Sequence, residues 1–512
     1  MKTRQQILDH LRQSPNVSVL ITGAGINGIG VFRDLALQGV DVLLIDRADF
    51  CSGASAASSR MAHGGIRYLE NGEFALVREA VRERNRLIQN APTLVKPLPT
   101  VIPIFKTFSG LFNAPLKFLG WLEKPAERGA LIIKIGLMLY DAYTGRQRVV
   151  PRHRFENRSQ ALRRFPRLNP QVRYIATYYD GLFLSPERLA LQLVLDGEAE
   201  GPHARALNYV SLIGVAENTV LLRDELTGST ISLHPQLIVN AAGPWIDRVN
   251  HHLGLSTRYI GGTKGSHIVL NNPELRAAIG DYEFFFENKD GRIVLIFPLF
   301  DKVMIGTSDI PIDDPDTARC TEEEVDYFLE MVGRVFPDIP VRREQIVFRF
   351  SGVRPLAYTR ARNAGQITRS HHLRLDYCGS MPVLSLVGGK WTSFRAFAEQ
   401  TTDRVLVLLG QSRRAHTRDL PIGAGANAAA LKTTADFSAA EISAIARTEK
   451  IVHLDDLILR RTLLAYLGLL NRPLLEQLAD WLGEALGWSA EQRQAEISRT
   501  INILVHHHGV SW

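Results

Sequence analysis

At 512 residues the chain is longer than one hydrophobic core organises, which predicts about two or three domains. Hydrophobic residues at 45% and charged residues at 22% are ordinary for a globular protein and exclude a chain disordered over long stretches. A formal charge of +7 and a pI near 9.3 suit a phosphorylated substrate, an anionic lipid surface or nucleic acid. The positive charge is dispersed and no nucleic-acid module appears, so nucleic acid is set aside.

Cys51, Cys320 and Cys378 show no CxxC spacing, so neither a disulfide framework nor a zinc site is expected and a reducing compartment fits. The start, Met1-Lys2-Thr3-Arg4-Gln5-Gln6, lacks the apolar core of a signal peptide. No apolar run reaches the length of a spanning helix. The expectation is a cytoplasmic protein, with any membrane attachment confined to the cytoplasmic face of the inner membrane.

In chain order, Arg4 to Gln13 reads as a polar helix. Val17 to Ile21 is short, β-branched and met at once by glycine, the pattern of a buried parallel strand. Ile29 to Gln38 reads as a helix closed by Gly39, and Asp41 to Asp46 as the next strand. Phe74 to Ile88 has helical spacing. Residues 101–122 interleave Phe105, Phe108, Phe112 and Trp121 with Lys106 and Lys117, a composition that fits a membrane-interface patch, a buried loop or a homodimer contact. Further strands are expected at Leu237–Asn240, Gly265–Leu270, Arg292–Phe297, Val303–Ile305 and Val383–Val387. From about Pro421 the chain turns helical, and Leu463 to Trp481 is strongly amphipathic, predicting a separate helical domain. The run His506-His507-His508 sits in native-looking sequence and reads as incidental, neither a metal site nor a tag.

Gly23, Gly25 and Gly28 give the GxGxxG spacing, in which glycine lets backbone turn tightly and approach a pyrophosphate. The helix that follows offers its N-terminal amides to phosphate. Asp46 lies 46 − 28 = 18 residues beyond the last glycine, where a carboxylate accepts both ribose hydroxyls and repels a 2′-phosphate. Strand, turn, helix, strand and acid in this order specify a dinucleotide but do not separate FAD from NAD. Two later glycine turns do. Ile238 to Trp245 resembles the second nucleotide motif of flavoproteins of the amino-acid-oxidase and glutathione-reductase type. Val383 to Lys390 is a strand and a Gly-Gly turn, with Thr392 and Ser393 expected as helix caps. A helix start aimed at the flavin pyrimidine stabilises the anionic reduced ring.

After Asp46 come a small-residue loop, Cys51 to Arg60, and His63-Gly64-Gly65-Ile66-Arg67-Tyr68-Leu69-Glu70. With Lys264 to Val269, Ile305 to Asp309, Phe350 to Leu356, Ile367 to Arg369 and Gly388-Gly389-Lys390, the chain resembles the FAD-dependent, quinone-linked glycerol-3-phosphate dehydrogenase family. The resemblance is collinear over roughly residues 17 to 400, with a weaker echo in Asp455-Asp456-Leu457 and Arg460-Arg461-Thr462. It implies FAD as cofactor, a polyol phosphate as substrate and a quinone as acceptor, with oxygen as the alternative. Arg67, Arg369 and Lys390 are then the phosphate anchors, with Tyr68 adding a hydroxyl and Thr307 lining the pocket. Hydride transfer to flavin N5 requires the substrate hydroxyl proton to leave. His267 is the first candidate base, with a pKa near neutral, and His63 packs by the ring or assists. Arg354 stabilises developing alkoxide charge or tunes the histidine. The cofactor set is Gly23, Gly25, Asn27, Gly28, Asp46, Ser55, Ser58, Ser59, Val210, Ala242, Gly243, Gly388, Gly389 and Thr392. No metal is expected, and Cys51 is assigned no redox role.

Ser370 and Trp391 depart from the family pattern beside presumed substrate contacts, and residues 101–130 look longer than usual. These departures leave a four-carbon relative such as erythritol phosphate open. A flavin amine or amino-acid oxidase would share the fold without this density of cationic residues. A non-catalytic flavin-binding protein would not need Arg67, His267, Arg354, Arg369 and Lys390 together. The expected fold is α/β: a Rossmann-like FAD-binding domain of the glutathione-reductase/amino-acid-oxidase type (1–90, 183–255 and 345–415). It carries an antiparallel-sheet substrate or cap domain (91–182 and 256–344) and a C-terminal helical domain (416–512).

Overall fold

The computed structural model describes residues 3–66, 73–106, 130–144, 149–288, 293–359, 371–423 and 431–512. Two sheets and a helical tail organise it. In the first sheet the spatial order is His372–Cys378, Met381–Val387, Thr230–Asn240, Asn16–Thr22, Val42–Ile45 and Ala204–Leu207. All neighbours run parallel except the first pair. Leu20, Leu43 and Ile238 share a register row and are fully buried, as apolar strands covered on both faces must be. The helix Ile26–Leu37 starts directly at the glycine turn, three residues before the expected Ile29, and packs on Pro186–Ala199 and Phe394–Leu408. Gly39 follows its end at φ +76°, the left-handed conformation that closes helices.

The second sheet runs Ile310–Pro311, Thr263–Leu270, Lys302–Gly306, Ile293–Leu299, Glu283–Glu287, Val95–Ile104, Tyr174–Phe183 and Met61–Ala62. Its pairs are antiparallel except one, where Glu283–Glu287 lies parallel to Val95–Ile104 through Glu283↔Thr100 and Phe284↔Val101. The sheet is thus mixed where an antiparallel one was expected. Ile346–Arg354 was assigned to the FAD-binding domain, but it pairs along the whole of Thr263–Leu270 and belongs to this second sheet. Residues 101–104, the start of the expected interface patch, are the end of a strand, with Val101 and Ile104 fully buried. The remainder from 107 to 122 lies outside the described residues.

The tail is helical as expected, at Ala439–Thr448, Arg472–Leu486 and Ala490–His508, and its core continues onto the second sheet. Leu457, Leu464, Leu475 and Leu504 bury against Val269, Phe297, Met304 and Phe348 of the second sheet in one cluster. The amphipathic stretch expected from Leu463 is a helix only from Arg472, because Asn471 caps it and proline occupies its first turn. Upstream, Gly468 takes φ +62° and the turns place Leu463, Leu464, Tyr466 and Leu467 in the same core. His508 stacks on Phe348 with centroids 4.4 Å apart, and His507 lies 3.2 Å from Arg319, so the histidine run serves packing. Among the described residues no helix is long and apolar enough to cross a membrane, and no cluster could hold a metal. The three cysteines are free and buried.

Candidate active site

The glycine turn forms where the first strand meets its helix. Gly23 takes φ +102°, and a Cβ there would lie 2.6 Å from the Ala241 carbonyl, so only glycine lets the two strand ends converge. A Cβ on Gly28 would lie 2.0 Å from the Gly23 carbonyl, which fixes how closely the helix approaches its strand. Gly25 stands at the helix cap without a side chain to satisfy the first-turn amides. Ser55 Oγ reaches over from the small-residue loop and accepts the Ile26 amide at 3.0 Å. Asp46 ends the second strand, half-buried, and accepts amides of Ala24 at 2.6 Å and Ala48 at 2.9 Å. Burial pushes its pKa up to about 6, although both amides favour the charged form. Val210 is buried beside it and donates its amide to the Asp46 carbonyl at 2.7 Å.

The second and third glycine turns close on the first. Ala242 donates its amide to the Asn240 side chain at 3.2 Å, and Gly243 takes φ +58°. Asn27 Nδ2 donates to the Gly388 carbonyl at 3.1 Å, and its buried Oδ1 has no hydrogen-bond partner. Gly389 takes φ +95°, where a Cβ would lie 2.4 Å from Asn27. A cradle that a Cβ would fill, first-turn amides, a carboxylate at the end of the second strand and an orphaned buried carbonyl oxygen together fit an FAD. When bound it would be held by Gly23 to Gly28, Asp46 and the Gly388-Gly389 turn.

Thr392 and Ser393 do not cap the helix Phe394–Leu408 as expected: Ser393 occupies the cap position without a side-chain bond. Thr392 instead accepts the His63 amide at 3.0 Å and so ties down the loop that carries His63. Trp391 is buried against Phe183, centroids 5.0 Å apart, and donates to the Ser55 carbonyl at 2.9 Å. It braces the small-residue loop. Lys390 is half-buried and close enough to Glu79 and His371 to bias both titrations.

A second group of residues faces this loop from the other sheet. His267 lies on a strand between Gly306 and Phe350 in register, stacked on the Phe350 ring at 4.9 Å with 11° between planes. Its Nε2 pairs with Ser59 Oγ at 2.8 Å. Arg354 extends across Gly265, donating to Asp309 at 3.1 Å, Thr307 Oγ1 at 2.9 Å and the Ser308 carbonyl at 3.0 Å. A Cβ on Gly265 would lie 2.2 Å from the guanidinium, and one on Gly306 would lie 2.2 Å from the imidazole. Both glycines of the Lys264-Gly265-Ser266-His267 and Ile305-Gly306-Thr307 motifs therefore make room for the Arg354 and His267 side chains. Burial first, then the charges of Arg354 and Arg60, lower the His267 pKa to about 3. The near-neutral base expected from sequence is corrected: the folded protein holds a buried neutral imidazole.

Serine, histidine, threonine and arginine are thus brought together at 59, 267, 307 and 354, and the loop 51–66 joins them to the cofactor turns. Ser58 is spent locally, accepting the Arg60 amide at 3.2 Å. Arg67, Tyr68 and Arg369 lie outside the described residues. Sequence reasoning missed the supports of the loop. Arg60 is fully buried, donates to the Leu184 carbonyl at 2.8 Å and lies 4.2 Å over the Tyr466 ring. The Gly64 amide is shared by Tyr140 Oη and Asp180, each at 3.0 Å, with Arg84 donating to Tyr140 at 2.8 Å. A charged residue inside an otherwise small-residue loop was the only local signal for Arg60.

Comparison with known proteins agrees with this architecture. The family model described as FAD dependent oxidoreductase matches residues 18–403, and that of the C-terminal domain of alpha-glycerophosphate oxidase matches residues 392–493. A glycerol-3-phosphate dehydrogenase of Synechocystis sp. is 36% identical over 450 residues, 83% of this chain and 76% of its own. A D-erythritol 1-phosphate dehydrogenase of Brucella abortus is 33% identical over 417 residues, 80% of this chain and 77% of its own. The solved glycerol-3-phosphate dehydrogenase of Bacillus halodurans, complexed with FAD, has a TM-score of 0.71 at 20% identity, covering 98% of this chain and 97% of that one. That likeness carries the fold. The matches over most of the chain carry the family: this protein is an FAD-dependent enzyme and belongs to the glycerol-3-phosphate dehydrogenase family.

Proposed function

We propose that the enzyme oxidises sn-glycerol 3-phosphate to dihydroxyacetone phosphate and passes the electrons to a membrane quinone. The observation that carries this reading is a fixed guanidinium, Arg354, close enough to a neutral imidazole, His267, to lower its pKa, with His267 bonded to Ser59 of the loop that leads to the cofactor turns. Arg354 orients on developing negative charge at the substrate oxygen. His267 takes the hydroxyl proton at Nε2 once the substrate hydroxyl replaces that of Ser59. A phosphate dianion nearby opposes the charges of Arg354 and Arg60 and raises the basicity of the imidazole. Lys390, with Arg67 and Arg369 from the motif resemblance, binds that dianion, and Tyr68 adds its hydroxyl. His63, held at its amide by Thr392, lines the pocket near the ring, and Thr307 keeps Arg354 in place. When bound, FAD would supply the hydride acceptor, the N5 of its flavin. The curated relatives named for glycerol 3-phosphate support the substrate, and the Brucella abortus relative names the alternative to be tested. If the cationic groups select a phosphate, kcat/KM for glycerol 3-phosphate should exceed that for glycerol by about 10³-fold or more. Equal values for the two would remove the phosphate from the reading.

A peripheral seat on the membrane is supported by the helix Ala130–Thr144. Its inner face buries Leu137 and Tyr140, while Ile135, Met138 and Leu139 on the outer face are 52%, 57% and 41% exposed. Apolar side chains in a row on a surface helix fit the lipid interface, where a quinone is dissolved. Changing all three to serine is expected to abolish co-flotation with anionic vesicles; undiminished flotation would count against this seat.

A further inference from the structure

The tail motif Asp455-Asp456 to Arg460-Arg461, noticed in the sequence, has no part in the chemistry above. Its two arginines converge on Asp49, three residues beyond Asp46. Arg460 donates to Asp49 Oδ2 at 2.6 Å, and Arg461 donates to both Asp49 oxygens, to Oδ1 at 3.0 Å. Arg460 also binds Asp455 and Asp456, and Arg499 donates to Asp455 at 2.8 Å. Three carboxylates (Asp49, Asp455, Asp456) therefore face three guanidiniums (Arg460, Arg461, Arg499), and all but Arg499 are buried. Buried ion clusters are a poor source of net stability, since desolvation cancels most of the attraction. What such a cluster does well is to fix one geometry, and its position says which.

The segment 206–210 passes between this cluster and Asp46. Asp46 donates its amide to the Leu207 carbonyl at 3.1 Å and accepts that of Val210 at 2.7 Å; Tyr209 donates its amide to Ala48 at 3.1 Å. The same segment is held from the tail side. Tyr209 Oη donates to Asp456 at 2.6 Å, Asn208 Nδ2 to Asp49 and to the Lys450 carbonyl at 2.9 Å each, and Lys450 Nζ to the Ala206 carbonyl at 3.1 Å. Leu207 and Val210, which bond the Asp46 backbone, thus flank Asn208 and Tyr209, which Asp49 and the tail hold.

We propose that the tail cluster is a latch on the adenosine end of the cofactor site, and that Asp49, Tyr209, Arg460 and Arg461 are positioning residues that set how tightly FAD is retained. The latch couples a helical unit remote in sequence to cofactor affinity through Asp46 and the segment 206–210. None of its members pairs with His267 or Arg354.

The test is FAD affinity, measured as quenching of free flavin fluorescence by apoprotein and as the rate of FAD release from holoenzyme, beside the melting temperature of each apoprotein. Asp49→Asn is expected to raise the FAD Kd more than about tenfold, and Tyr209→Phe, which keeps every charge, by about three- to tenfold. Arg493→Gln, which removes a tail pair with Asp480 away from the segment, is expected to leave the Kd within about twofold. If Asp49→Asn does not fold, Tyr209→Phe decides alone. A Kd unchanged in Tyr209→Phe, with or without a lower melting temperature, overturns the latch, as does an equal rise in Arg493→Gln. No substrate enters the measurement, so its failure is separate from failure of the substrate reading.

Discussion

Arg354→Ala is expected to lower kcat by about two orders of magnitude, ~3 kcal/mol of transition-state stabilisation, with a smaller change in KM. The reason is geometric. Three acceptors, on Asp309, Thr307 and Ser308, hold the guanidinium in one orientation, while its side chain stays 24% exposed. A charge fixed before the reaction costs no reorganisation when negative charge develops on the substrate oxygen. Arg354→Lys restores charge without the planar fork and is expected to fall between wild type and alanine. The alanine variant also frees His267 from the second-largest cause of its lowered pKa, so the imidazole should move up, burial remaining the larger cause. Steady-state kinetics with saturating FAD reads both variants; an unchanged kcat in Arg354→Ala would remove its role.

The second large effect concerns stability and pH. Glu283 is fully buried beneath the loop supports, accepts from Thr100 at 2.7 Å and leaves its other oxygen without a hydrogen-bond partner. Burial first, then the nearby Asp180, push its pKa up to about 8. The folded protein therefore holds a proton there that an unfolded chain releases near the ordinary glutamate value. Between those values the folded state binds more protons, so stability falls as pH rises from about 4.5 to about 8. The full loss is on the order of 5 kcal/mol. Glu283→Gln removes this titration, so its melting temperature should gain on wild type progressively across that window and by a constant amount above it. Parallel melting curves from pH 5 to 9 would contradict the buried proton.

What was legible in the sequence was local. Gly23, Gly25, Gly28 and Asp46 sit in one strand–turn–helix–strand unit whose spacing is local, and the apolar runs at Val17 and Val383 read as buried strands, which they are. Gly265 and Gly306 were visible inside motifs, but their purpose appears only when Arg354 and His267 fold over them. The supports of the active-site loop were out of reach: Arg60 meets Leu184 across 124 residues and Gly64 meets Tyr140 across 76. The His267 pKa was misjudged because it depends on burial and on Arg354, 87 residues away. Thr392 looked like a cap because polar residues before a helix usually are; here a loop amide from His63 claims its oxygen first. The tail was legible as a helical unit, but its amphipathic faces do not reveal that its core continues onto the second sheet.

The central claim is that a phosphorylated polyol delivers electrons to FAD in this site. Anaerobic titration of the purified holoenzyme with sn-glycerol 3-phosphate, followed by the visible flavin absorbance, tests it most directly. The account predicts that the flavin bleaches with glycerol 3-phosphate and stays oxidised with glycerol. Bleaching only by erythritol 1-phosphate would move the substrate to the four-carbon relative, and a flavin left oxidised by every polyol phosphate would contradict the proposed reaction.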